Sequence, residues 1–154
     1  MLYKSRKTYK IHLIRHGLTE GNLAGQYIGR TDLPLAGAGV AQLKQYAEEN
    51  DYPKVDCVYS SPMLRAVQSA KILYPSKDIQ TVDNLREIDF GEFEGKTAHE
   101  LESNPAYADW AAGRINSAPD GEDNTEFAKR LCVGLNEIVR DMVAKKAEHS
   151  AVIM

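Results

Sequence analysis

YKIHLIRHGLTEGN, residues Tyr9–Asn22, is the stretch from which the rest of the chain can be read outward. Ile11, Leu13 and Ile14, with the β-favouring Tyr9, form a short apolar run of the length of one buried strand. The run ends abruptly in Arg15-His16-Gly17, and Thr19, Gly21 and Asn22 continue it as a polar loop. In open α/β sheets ligands bind beyond the carboxyl ends of strands, so chemistry is expected here. Imidazole titrates near neutrality and serves as base, acid, nucleophile or metal ligand. Arginine offers a planar fork that fits phosphate or carboxylate oxygens. Glycine, lacking Cβ, lets the backbone turn sharply or approach a ligand closely. Taken alone, Arg-His-Gly is a weak signal, and a solvated surface loop explains it equally well.

The 154 residues suffice for a single domain with one core. Apolar content of 43% and charged content of 27% are those of a globular chain. A formal charge of −3 supplies no global field for nucleic acid or an anionic membrane, so an anionic ligand needs a local arginine cluster. Cys57 and Cys132 fit no metal-ligand spacing and fall within an expected strand and helix, where buried, inert thiols are expected. MLYKSRKTYK at the start is basic without an apolar h-region, and no apolar run reaches membrane length. The expectation is a cytoplasmic, soluble protein.

Beyond the first loop, Ala36, Val40, Leu43 and Ala47 recur at helical spacing and predict a helix from Ala36 to about Glu49. Gly37 and Gly39 in its first turn imply close backbone packing or a later start. Asn50-Asp51-Tyr52-Pro53 ends it. Val55–Tyr59 reads as a second buried strand. Ser60-Ser61-Pro62 then predicts a serine-capped helix with proline at its first position, running to about Tyr74. Two strands each followed by a helix argue for a parallel α/β sheet.

Ile79–Val82 predicts a third, short strand. The segment Leu85–Gly95, rich in acid and glycine, reads as an irregular functional loop. Thr97–Ser103 and Pro105–Ala112 predict two short helices, and Asp123 with Glu126 a capping box for the last one. That helix carries a stripe of Phe127, Leu131, Leu135, Ile138 and Met142, which reads as core packing. Ala151-Val152-Ile153-Met154 reads as the start of another buried strand that the chain leaves in mid-element.

Among residues able to do chemistry, Arg65 falls in the first turn of the second predicted helix. The dipole and open N–H groups of such a turn already favour an anion. A carboxylic acid beside a phosphate could protonate a leaving oxygen, and Glu87, Asp89, Glu92 and Glu94 qualify equally by composition. Tyr107, Trp110 and Arg114 are expected near the mouth of a site as readers of the leaving group. Simple packing of Tyr107 and Trp110 explains those two as well.

These residues together carry a resemblance. Leu13–Asn22 resembles the signature of the histidine phosphatase superfamily, which includes cofactor-dependent phosphoglycerate mutases and many small-metabolite phosphatases. Ser60–Ala70 resembles its second arginine motif, Leu85–Gly95 its acidic loop, and Pro119–Asp123 the loop before its last long helix. The resemblance implies a phosphoglycerate mutase-like α/β fold, with a mainly parallel sheet between helices. It implies His16 as the nucleophile of a phosphohistidine intermediate and Glu87 as acid, then base. Arg15, Arg65 and Asn22 would hold the phosphoryl oxygens, with no metal and no cofactor, and a small phosphorylated metabolite would be the substrate. The short segment between Glu94 and Pro119 favours hydrolysis over mutase-type transfer, because mutases must exclude water. The family also uses a second histidine after a buried strand near the C-terminus. His12, His99 and His149 do not stand in that motif. The expectation is therefore a single domain, residues 1–154, incomplete at its C-terminus, whose cut-short last strand pairs poorly and exposes an edge. A phosphate-binding module without turnover is the non-enzymatic alternative.

Overall fold

The computed structural model describes residues 7–50 and 52–154. The basic Met1–Arg6 and the Asp51 of the predicted helix stop lie outside the described residues. Four strands form the sheet: β1 (Lys10–Ile14), β2 (Cys57–Ser60), β3 (Ile79–Thr81) and β4 (His149–Ile153). They are all parallel, in the order β1-β4-β2-β3. The central strands β2 and β4 are buried on both faces, as expected where helices cross over between parallel strands, whereas the edge strand β1, expected to be buried, is only partly covered, with Leu13 65% exposed.

Successive residues of the strands feed opposite layers. Val58, Ala151 and Ile153 pack on one face with Ala66, Ala70 and Leu43, from α3 (Leu64–Leu73) and α2 (Gly37–Glu49). Tyr59 and Val152 pack on the other with Ile138 and Met142 of α5 (Asn124–Lys145). This is why β2 and β4 read as continuous apolar runs instead of alternating ones. The predicted fold class, a parallel sheet between helices, is the observed one.

The last strand departs from expectation in two ways. It begins at His149, so that histidine lies within β4 rather than before it. It is also central and paired on both sides: Val152 faces Leu13 and Tyr59, and Ile153 faces Ile14 and Ser60. Both residues are fully buried, and the expected poor pairing is absent.

Helix starts also differ from the sequence reading. α3 begins at Leu64, after Met63, and no serine caps it. The amide of Leu64 instead donates to the Asp32 carboxylate at 2.7 Å, a cap supplied from a loop thirty-two positions earlier. A four-residue helix, α1 (Glu20–Leu23), is held by a capping box between Thr19 and Asn22 that the sequence reading passed over. Residues 97–103 form turns instead of a helix. Thr97 is tied by a bridge to Gln26, and Asn104 must become extended to cap α4 (Pro105–Ala111), which leaves room for little more than one turn. Asp123 caps α5 through the amides of Thr125 and Glu126, while the Glu126 carboxylate pairs with Lys129 instead of closing the box. Cys57 is half-buried and Cys132 exposed, so neither is the buried thiol expected.

Candidate active site

The loop after β1 is fastened to the sheet by backbone bonds. Met154 N–H donates to Ile14 O at 2.9 Å and His16 N–H to Met154 O at 2.7 Å. His16 therefore stands at the carboxyl edge, where β1, β4 and β2 end together. A cleft of about 570 Å³ opens there, lined by Arg15, His16, Asn22, Gln26, Tyr27 and Glu87, among others. A second cavity of about 20 Å³ adjoins it, lined by His16, Ser61, Arg65, Arg86 and Glu87. The five predicted site residues are thus brought together by four segments: the β1 loop, α1, the start of α3 and the acidic loop.

Nδ1 of His16 lies 2.6 Å from the carbonyl oxygen of Gly17. A carbonyl only accepts, so Nδ1 carries the proton and Nε2 of the neutral ring holds its lone pair free. Burial holds the imidazole below its ordinary pKa, and the cations of Arg65 and Arg15 act in the same direction, against the bond to Gly17 and the charge of Glu87. Gly17 is held in turn, its amide donating to Ser69 Oγ at 2.9 Å while that hydroxyl donates to Arg65 O at 2.7 Å.

Arg65 is 2% exposed. Its guanidinium donates to Gly29 O at 2.9 Å and Thr31 O at 3.1 Å, which fixes the fork behind His16. The N-terminus of α3 is less open to an anion than the sequence suggested, since Asp32 already occupies the Leu64 amide. Asn22 Oδ1 accepts from the amide and hydroxyl of Thr19, so what it offers the cleft is its Nδ2–H donors, suited to phosphoryl oxygens.

Geometry separates the four acids that composition could not. Glu94 buckles the neighbouring loop, accepting from the amides of Gly29, Arg30 and Phe90 and from Thr31 Oγ1 at 2.7 Å. Burial pushes its carboxyl up, but these bonds together outweigh burial and hold it below the usual range. Asp89 accepts from Gly91 N–H, and Glu92 is exposed. Of the four, Glu87 lines the cleft, with Oε1 accepting its neighbour Ile88 N–H at 2.9 Å.

The cleft wall was not foreseen. Tyr27 and Phe90 form it, ring centroids 5.4 Å apart. Tyr107 and Trp110 pack behind them with Phe93, against the loops instead of on the sheet as the packing alternative had it, and the Tyr27 and Tyr107 hydroxyls meet at 2.8 Å. Burial, then this bond, push the Tyr27 phenol up to about 12. Arg114 is exposed and paired with Asp109 at 2.7 Å. None of His12, His99 or His149 lines the cleft: His12 and His149 stack 6.2 Å apart on adjacent strands, and exposed His99 pairs with Glu102. Among the described residues no group of three His, Cys, Asp or Glu is placed to hold a metal ion.

A family model of the histidine phosphatase superfamily (branch 1) matches residues 11–154. The chain is 34% identical over 134 residues to a "probable phosphoglycerate mutase" of Proteus mirabilis, covering 82% of this chain and 61% of that protein. It is 31% identical over 127 residues to the adenosylcobalamin/alpha-ribazole phosphatase of Salmonella typhimurium, covering 79% of this chain and 63% of that one. The chain thus spans less than two thirds of the length of these relatives. Among solved structures, a phosphoserine phosphatase of Entamoeba histolytica in complex with 3-phosphoglyceric acid superposes with a TM-score of 0.72 at 28% identity, covering 93% of this chain and 72% of that one. A Bacillus anthracis phosphoglycerate mutase gives 0.81 at 20% identity, over 96% and 75% of the two chains, a likeness of fold.

Proposed function

The chain belongs to the histidine phosphatase superfamily, and from that premise we propose that it hydrolyses a small phosphomonoester through a phosphohistidine on His16. The observation that carries the reading is the His16 Nδ1 bond to Gly17 O, which leaves Nε2 as the unprotonated nitrogen at the cleft. Nε2 attacks phosphorus, the bond to the leaving oxygen breaks, and Glu87 gives that oxygen its proton. Water then attacks the phosphohistidine, Glu87 now accepting a proton from it, and phosphate leaves with His16 restored. Arg15, Arg65 and Asn22 hold the three peripheral oxygens, whose charge must be met throughout. In this reading Arg15 and the fixed fork of Arg65 perform the charge stabilisation that a metal ion performs elsewhere. Relatives named as phosphatases support hydrolysis. Those named as phosphoglycerate mutases support the second reading, transfer of the same phosphoryl group to another hydroxyl.

The test is rapid acid-free quenching of the protein with phosphorus-32-labelled phosphomonoesters. Acid-labile label on the wild type, absent in His16→Ala, together with release of inorganic phosphate, is the expected result. Label passing to a second hydroxyl would assign a mutase. Saturable binding without label would leave a phosphate-binding module and overturn the proposal.

A further inference from the structure

Arg130, on α5, lines neither cavity, yet all five of its N–H groups are committed around the acidic loop. Nε and one terminal nitrogen form a two-point pair with Glu122. The remaining donors go to three carbonyls of the segment leading to the general acid: Asn84 O at 3.1 Å, Arg86 O at 2.6 Å and Glu87 O at 3.0 Å. Glu122 completes the ring from the other flank. Its amide donates to Asp89 O at 2.9 Å and its carboxylate accepts Asp89 N–H at 3.4 Å. Its pairing with Arg130 holds that carboxyl below the ordinary range, so it stays ionised. The side chains are only 18% and 14% exposed, and Phe127 lies against the guanidinium at 4.8 Å.

We propose that Arg130, with Glu122, is a positioning residue that sets where the Glu87 carboxylate stands relative to His16; this rests on the reading of Glu87 as general acid. A general acid must stay within hydrogen-bond reach of the leaving oxygen, and Glu87 sits in an irregular loop with no helix or strand of its own to hold it. Two consecutive carbonyls, of Arg86 and Glu87, converge on one planar cation. That fixes the two peptide planes flanking the Glu87 Cα and hence the direction of its Cα–Cβ bond. A lysine has three donors on a single nitrogen and cannot span the carboxylate and three carbonyls together. No charge is added to the cleft, because Arg130 and Glu122 neutralise each other.

The variant to make is Arg130→Lys, measured with two substrates and by amide hydrogen exchange. p-Nitrophenyl phosphate has a leaving group that needs no proton; a simple alkyl phosphate needs the acid. Because Glu87 acts as base on the phosphohistidine formed from either substrate, the first step is read by rapid-quench labelling. The expected result is roughly 10- to 100-fold slower labelling of His16 by the alkyl phosphate, substrate affinity little changed, and near wild-type labelling by p-nitrophenyl phosphate. Arg130→Lys in a Glu87→Gln background should add no further loss. Amides of residues 86–91 should exchange about tenfold faster while those of β4 keep their protection. Equal losses in the rate of His16 labelling by both substrates, or exchange rising uniformly across the sheet, would assign Arg130 a merely structural role and overturn the proposal, as would unchanged exchange in the loop. A wild type that forms no phosphohistidine would sink the catalytic reading, while the exchange measurement still decides whether Arg130 braces the loop.

Discussion

The Ser69 hydroxyl on α3 accepts the amide hydrogen of Gly17 at 2.9 Å across 52 positions of sequence. It thereby ties the His16 loop to the helix that carries Arg65, whose carbonyl accepts the same hydroxyl's hydrogen bond. His16 and Arg65 are held in one frame by a residue that lines neither the cleft nor the adjoining cavity. Ser69→Ala leaves the Gly17 N–H in a buried site without a partner, a change that costs about 1–3 kcal/mol. Urea denaturation of the variant should show that loss, and rapid-quench labelling should show slower phosphorylation of His16. A stability within about 0.5 kcal/mol of wild type would contradict the role given to this bond.

The acid limb of kcat/KM should fall below pH 6.5, the ordinary histidine value. Burial, and then the cations of Arg65 and Arg15, lower the His16 pKa. The free imidazole therefore persists as pH falls past the usual value, and activity is lost only when pH passes through the lowered one. Exposed Arg15 is the accessible lever. Arg15→Gln should move the acid limb upward toward pH 6.5, besides weakening phosphate binding. A limb that moves downward would show that Arg15 does not act on His16 through its charge.

Glu87 and Glu94 are alike in composition and should differ in consequence. Glu94→Gln removes an ionised acceptor from several converging donors, so the protein should lose on the order of 2 kcal/mol. Glu87→Gln should leave the denaturation midpoint nearly unchanged and lower kcat on an alkyl phosphate by about 10²–10⁴. The pair of midpoints and the pair of rates together check the assignment, which reversed results would refute.

Gly37 and Gly39, two positions apart in α2, should answer alanine oppositely. A Cβ at Gly39 would stand 2.2 Å from Leu18 O, a backbone atom that cannot step aside, and Gly39→Ala should cost about 1–3 kcal/mol. Nothing lies within 4 Å of a Cβ at Gly37, where alanine should stabilise the helix by roughly 0.5–1 kcal/mol. Thermal melts of the two variants decide this. The sequence reading posed close packing or a late start for these glycines, and Gly39 is the case of close packing.

Elements whose cause is local are legible in the sequence. β1, α2, β3 and α5 follow from apolar runs, helical periodicity and an aspartate cap, all of which act within a few residues. α3 was placed but its start was misread, because its cap is Asp32, far away in sequence. Residues 97–103 carry an acid and a threonine well spaced for a helix start, and the bridge from Thr97 to Gln26 prevailed over that signal. The wall of Tyr27 and Phe90 had no local signature, since two aromatics in separate loops become a surface only when the loops meet.

By itself the sequence determined the alternation of strand and helix and the family, and through the family resemblance it pointed to Arg15, His16, Asn22, Arg65 and Glu87, because periodicity and motif spacing are properties of neighbours along the chain. The tertiary structure decided which acid faces the cleft and which ring nitrogen of His16 is free. It also decided that β4 lies between β1 and β2, bringing His16 and Arg65 to one edge. Those outcomes depend on hydrogen bonds between segments tens of residues apart, whose partners exist only once the chain has closed on itself.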